Sequence, residues 1–202
     1  MISPERFIAR SSDREAWLYA RNQGVTATMV SRASTSSGFA ETIAQLENPQ
    51  PLETNAYMEW GNEREPHIAQ VVKERFGIMP NDWLIAKDAE VNRWQMATPD
   101  GLSMDHKWIA EIKTSGKPLE RIPLHYMRQV QWQLWVTNAE RCLFAWELRL
   151  QGPNGFVPSL EVHCQWVDRD EKMMRQLVGV AEQLQEHRVF SDWVERDGLA
   201  NG

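Results

Sequence analysis

Three stretches of the chain alternate side-chain character with period two: "KWIAEIK" (107–113), "RCLFAWELRL" (141–150) and "LEVHCQWV" (160–167). A period of two commits a segment to a strand whose faces see different surroundings. In the first, Trp108, Ala110 and Ile112 share one face while Lys107, Ile109, Glu111 and Lys113 share the other. In the second and third, Cys142, Phe144, Trp146, Leu148 and Leu150, and then Leu160, Val162, Cys164 and Trp166, fall in register. "QGPNGFVPS" between them is expected to be a hairpin loop. Between the first two strands, "PLHYMRQVQWQLWVTN" has helical periodicity, with Tyr126, Met127, Val130, Leu134 and Trp135 on its expected buried side.

Other segments extend this frame. "SSDREAWLYARNQG" predicts a short helix capped by Ser12 or Asp13, packed through Trp17, Leu18 and Ala20, with Gly24 just past its end. Ser34 to Ser37 read as a loop, and "NPQPLETNA" as turn-rich chain with Thr54 capping a long helix from about Asn55. Ile68, Val71, Val72 and Phe76 form that helix's apolar face, Gly77 stops it, and Pro66 is expected to kink it. "LIAKDAEV" and "WQMA" are strand-like, and a final amphipathic helix begins near Asp168 or Asp170. The order α–α–βββ–α–ββ–α predicts an α/β fold, a central mixed sheet flanked by helices.

Composition narrows the function classes. The 202 residues are 42% hydrophobic and 25% charged, values of a globular chain rather than a disordered one. No apolar run approaches the roughly 18–20 residues of a membrane span, and the first residues lack the apolar core of a signal peptide. A cytoplasmic protein without membrane attachment is expected. Two cysteines, Cys142 and Cys164, allow no disulfide framework and read as buried small hydrophobes on paired strands. No histidine pair has zinc spacing, and His106 and His125 read as ordinary surface or turn residues. The ten tryptophans read as core and buried subunit contacts. The net charge of −6 is uneven: residues 36–106 sum to −7 and 107–150 to +3. Local rather than net potential steers a phosphate ligand, so nucleic acid stays open as a partner.

The chemistry concentrates in "TPDGL" and "EIK". Pro-Asp-Gly is turn chemistry. A turn that delivers Asp100 beside a strand bearing Glu111 and Lys113 on one face would bring two carboxylates and an ammonium together. Close carboxylates repel unless a cation lies between them, and oxygen ligands suit Mg²⁺. That ion would polarise a phosphoryl oxygen and acidify a water, while Lys113 orients the water or stabilises developing charge.

Pro99-Asp100 followed by Glu111-Ile112-Lys113 is the PD-(D/E)xK pattern of a large nuclease superfamily. "WGNEREPHIA", "TPDGL", "EIK", "YMRQVQWQLWVT" and "DRDEKMM" occur in the order of the YqaJ-type viral recombinases, the phage lambda exonuclease family, which the chain resembles from about Arg21 to its last helix. The resemblance implies a restriction-endonuclease-like core in a single exonuclease domain. Its parts would be an N-terminal 5′-phosphate-binding segment (1–35), a nuclease core (54–168) and a C-terminal helix (169–202). It implies a Mg²⁺-dependent (Mn²⁺ is the other candidate) 5′→3′ exonuclease that degrades one strand of linear double-stranded DNA. Asp100, Glu111, the Ile112 carbonyl and Glu65 would hold metal; Lys113 would be the catalytic lysine and Gln129 the active-site glutamine, with Gln131 bonding neighbouring structure. Arg21, Thr28 and Thr98 would grip the 5′-phosphate, the two threonines replacing serines of the lambda enzyme. Pro66 after Glu65 is a further departure from that enzyme. A homotrimeric ring and a single-strand annealing protein as partner are also implied. The shortage of cysteine excludes the iron–sulfur nucleases of the same core fold. The alternatives are a nuclease of different polarity or endonuclease action, and a non-catalytic DNA-binding relative.

Overall fold

The computed structural model describes residues 1–49 and 54–200, with side chains to Arg188 in the last helix. Two mixed sheets, rather than one, form the frame. The larger has the order β3-β6-β7-β8-β9: Ile78–Pro80, Gly101–Ser103, Trp108–Ser115, Arg141–Gly152 and Gly155–Asp168. The smaller has the order β1-β4-β5-β2: Phe7–Arg10, Trp83–Ala86, Gln95–Ala97 and Val25–Thr26.

β7 and β8 are parallel neighbours joined by helix α5, Leu124–Thr137, because parallel strands need a crossover that a hairpin cannot supply. Alternation then sorts the core. Ala110, Ile112, Leu143 and Ala145 meet Ile68, Ala69 and Val72 of helix α4 (Ala56–Phe76) on one face. Ile109, Cys142 and Phe144 meet Val130 and Leu134 of α5 on the other. α5 is wedged between the sheets, since Trp132 Nε1 donates to Met96 O at 2.9 Å and Trp135 Nε1 to Gln95 Oε1 at 2.8 Å. That is why Gln131, Trp132 and Gln133 are buried although helical periodicity marks only one apolar stripe. A third layer comprises α2 (Ala27–Ala33), α3 (Ser36–Glu47) and α6 (Glu171–Ala200), packed through Val30, Trp132, Leu177 and Leu184. Burying the end of α5 leaves its last carbonyls without water. Arg169 donates to Leu134 O at 3.0 Å, Lys87 to Trp135 O at 2.6 Å and Arg6 to Val136 O at 2.5 Å. Cations at a helix C-terminus also suit its dipole.

Several expectations change. Asp13 caps α1 (Arg14–Arg21) and Asp170 accepts from the Lys172 and Met173 amides at α6, but Asn55 rather than Thr54 caps α4, accepting from the Tyr57 and Met58 amides. α4 runs to a left-handed Gly77 with Pro66 inside it. Ser34–Ser37 is not a loop throughout, because Thr35 accepts from the Gly38 amide and starts α3. "LIAKDAEV" ends as strand at Ala86, where Asp88 folds back to accept from the Glu90 and Asn92 amides. The expected hairpin loop is mostly strand: β8 runs to Gly152 and β9 begins at Gly155. A bulge opposite Leu148 puts Leu160 at φ 64° and 81% exposure, out of the buried register. Of the turn-rich "NPQPLETNA", residues 50–53 lie outside the described residues. No helix among the described residues is long and apolar enough to cross a membrane.

Candidate active site

Asp100 sits where β6 meets β7. The Gly101↔Ala110 register, continued by one residue, sets Asp100 opposite Glu111 and accounts for their eleven-residue separation. The strands reverse at Met104–Lys107, and the turn expected at Pro99-Asp100-Gly101 is a bend entering a strand. Gly101 serves close packing: an added Cβ would lie 2.9 Å from Ile78 Cγ2 and 3.0 Å from Ala110 Cβ. Asp100 is held three ways. Its amide donates to Ala110 O at 3.0 Å, its carbonyl accepts from the Asn81 amide at 3.0 Å, and Oδ2 accepts from the Ile112 amide at 2.6 Å. The N–H and C=O of one strand residue point to the same side. The Ile112 carbonyl therefore faces the Asp100 side of β7.

Glu111 is 3% exposed. Gln133 Nε2 donates to its Oε2 at 2.6 Å, and Lys113 forms a short ion pair with its Oε1. Burial and the Glu111 charge push the Asp100 carboxyl well above its usual range, against the pull of Lys113. Burial alone would lower Lys113, but Glu111 and Asp100 outweigh it and hold the ammonium above its ordinary value. Glu65, on α4, is raised by desolvation and Glu111 and lowered by Lys113. Acid charge thus exceeds base charge in the cleft. Among the described residues no three His, Cys, Asp or Glu side chains converge as a ready-made metal cluster. What is offered is a facing carboxylate pair, a strand carbonyl and Glu65 nearby. These donors are all oxygen and carry surplus negative charge, so they fit a hard divalent cation.

A cavity of about 260 Å³ joins this centre to Arg21, Thr28 and Thr98, and Gln129 and Gln133 also line it. The local fold explains the meeting. β2 pairs with β5 in the register Val25↔Gln95 and Thr26↔Met96, so Thr28 and Thr98 follow their strands side by side. Gly24 permits the approach, since a Cβ there would lie 2.4 Å from Trp94 O. Arg21 ends α1 with its guanidinium 5.1 Å from the Trp17 ring, and burial lowers its pKa. No carboxylate among the described residues pairs with it in an ion pair.

The structure therefore brings Arg21, Thr28, Thr98, Asp100, Glu111, Lys113 and Gln129 around one cavity. Glu65 and Ile112 line the adjoining chamber with Lys113 and Gln129. Gln131 lies elsewhere, donating to Asp168 O and accepting from the Asp170 amide, both at 2.8 Å. Gln133 is the residue sequence reasoning missed. Its signal was the four-residue step from Gln129, which keeps both on one helix face. His106 accepts from the Ile2 amide at 2.8 Å, and exposed His125 packs on Tyr126. Cys142 is buried, its thiol pushed well up by burial and the neighbouring carboxylates, and Cys164 is half-buried on the paired strand.

Comparison with known proteins adds independent information. A family model described as the YqaJ-like viral recombinase domain matches residues 16–140. The chain is similar to a crystal structure of an alkaline exonuclease from Laribacter hongkongensis (LHK-Exo), with TM-score 0.72, 24% identity, and 93% of this chain and 100% of that chain covered. LHK-Exo in complex with dAMP gives TM-score 0.67 and 25% identity over the same shares. A phage-related exonuclease from Haemophilus somnus 129PT gives TM-score 0.62 and 12% identity, covering 86% and 96%, a likeness of fold. No curated protein matches the chain.

Proposed function

The chain belongs to the YqaJ-like viral recombinase domain family, and on that premise we propose that it is a phage-type exonuclease, a Mg²⁺-dependent enzyme acting 5′→3′ on one strand of linear duplex DNA. The observation that carries the reading is the convergence on one cavity of two different devices: a facing carboxylate pair with a lysine, and an arginine with two hydroxyl residues. The first suits phosphodiester hydrolysis. The second suits a terminal phosphate, because guanidinium offers paired donors and hydroxyls add more. LHK-Exo, to which the chain is similar, is an alkaline exonuclease and has been crystallised with dAMP.

In this mechanism Asp100, Glu111 and the Ile112 carbonyl would hold the ion, with Glu65 beside them. When bound, Mg²⁺ or Mn²⁺ supplies Lewis acidity at the phosphoryl group and acidifies the attacking water. Glu111 and Asp100 hold the Lys113 ammonium above its ordinary value, which suits it as an electrostatic donor to the phosphoryl oxygens. Gln133 fixes the orientation of Glu111 through its amide hydrogen bond. Gln129 lines both chambers, within the space where substrate would pass. Arg21, Thr28 and Thr98 bind the 5′-phosphate, which sets polarity by admitting only that end. A trimeric ring and a single-strand annealing partner belong to the same family-level reading. A solution mass near three times 23.5 kDa supports the ring, and a monomer mass contradicts it.

The test is digestion of a linear duplex with 5′-phosphate or 5′-hydroxyl ends, beside a closed circular duplex. We expect release of 5′-mononucleotides, faster from the phosphorylated ends, and an intact circle. Cleavage of the circle favours an endonuclease, and equal rates at both ends remove the phosphate role. Intact DNA throughout favours a non-catalytic relative.

A further inference from the structure

Beyond Lys113 and Gln129 the cleft opens into a second chamber of about 790 Å³, between the start of α4, the end of β7 and the β8–β9 hairpin. Three features of its far wall are unexplained by packing alone. The Arg149 guanidinium lies against a stacked pair of rings, 4.4 Å from Tyr57 and 4.8 Å from Phe156, and makes no ion pair with a carboxylate among the described residues. It lies along the chain at Gly116, where an added Cβ would stand 3.0 Å from Nη2. Tyr57 stacks on Phe156 (5.4 Å, 25°) yet remains 58% exposed, with Lys117 exposed across the chamber.

Gly61 is the third feature. It stands inside α4 and lines the chamber, and an added Cβ would meet only Thr114 Oγ1, at 4.0 Å. Glycine weakens a helix interior, and here no neighbouring protein atom demands it. The space above it is what the glycine preserves.

We infer that this chamber is a subsite for the substrate strand on the 3′ side of the scissile bond, where Arg149 and Lys117 take backbone phosphates and Tyr57 offers a ring face to a base. The inference rests on the nuclease reading. A guanidinium placed by aromatic contacts rather than by a carboxylate keeps donors for phosphate, and base–aromatic stacking is tolerant of sequence. With Arg21 at the other end of the cleft, the strand would be held on both sides of the carboxylate pair.

Binding of a far-end-labelled, 5′-phosphorylated linear duplex is measured by fluorescence anisotropy in EDTA across a salt series. Arg149→Ala is expected to weaken binding about tenfold and to reduce the slope of log K against log salt by about 0.9, the loss of one phosphate contact. Arg149→Lys should keep that slope. Gly61→Ala should raise Tm while weakening DNA binding, a pairing that damage to the fold cannot produce. Tyr57→Ala should weaken binding with the slope unchanged. An Arg149→Ala slope equal to wild type, or a Gly61→Ala protein that binds as wild type does, overturns the subsite while leaving the nuclease reading intact. No duplex binding by the wild-type protein overturns both.

Discussion

Two buried glutamates on neighbouring strands have opposite fates. Glu147 on β8 is 1% exposed and receives both Nε and Nη2 of Arg64, at 2.8 and 3.0 Å, so its charge is matched by a bidentate partner. Glu111 on β7 is nearly as buried but shares one lysine with Asp100 and lies within the influence of Glu65. The first arrangement is closed and ties α4 to the sheet. The second holds surplus negative charge and opens into a cavity. Burial of a charge does not separate structure from function in this molecule; whether the charge is matched does.

The largest effect should come from unmatching the closed pair. Glu147→Gln leaves the half-buried Arg64 without its counter-charge and should cost up to about 3–5 kcal/mol, measured by urea unfolding. Glu111→Gln should cost far less, because it relieves Asp100 of a repelling neighbour. Equal losses would erase the contrast. Next, Lys113→Ala should lower the rate of DNA hydrolysis by roughly 10²–10³-fold with the circular dichroism spectrum unchanged. A rate near wild type would remove the lysine from the chemistry.

A smaller effect is expected at Gln133. Gln133→Leu removes the donor that orients Glu111 and should weaken Mn²⁺ binding without DNA by about 10–100-fold, read by calorimetric titration. Loss of hydrolysis with unaltered Mn²⁺ affinity would show that Gln133 acts otherwise. The smallest effect sharpens the contrast from outside the site. Burial and the Arg6 and Arg169 charges push Lys87 down to about 8. A lysine lowered on folding binds fewer protons than in the unfolded chain, where its value is about 10.4. Stability from this group should therefore rise between about pH 8 and 10.4. Relative to Lys87→Met, the wild-type Tm should rise across that window; a relative loss would reverse the assignment.

The legible parts were those governed by local periodicity. β7, β8, β9 and α5 were visible because alternation and helical spacing are properties of short windows. α2 and the two-residue β2 were not, since "VTATMVSRAS" is held by packing against α5 and α6 rather than by its own pattern. Asp100, Glu111 and Lys113 were legible as residue types at a spacing, and pairing of β6 with β7 explains that spacing. Gln133 was obscured because α5 is buried on two sides, so a polar residue there falls outside the single stripe that periodicity detects. The chamber around Arg149 and Tyr57 depends on residues 92 positions apart, a juxtaposition that no local pattern encodes.

The most direct test of the central claim follows a linear duplex labelled at either the 5′ or the 3′ terminus of one strand. It is incubated with the wild-type protein in Mg²⁺ and, separately, in EDTA. The account predicts that the 5′ label leaves first, as a mononucleotide, and only in Mg²⁺. Earlier release of the 3′ label, or release undiminished by EDTA, would contradict it.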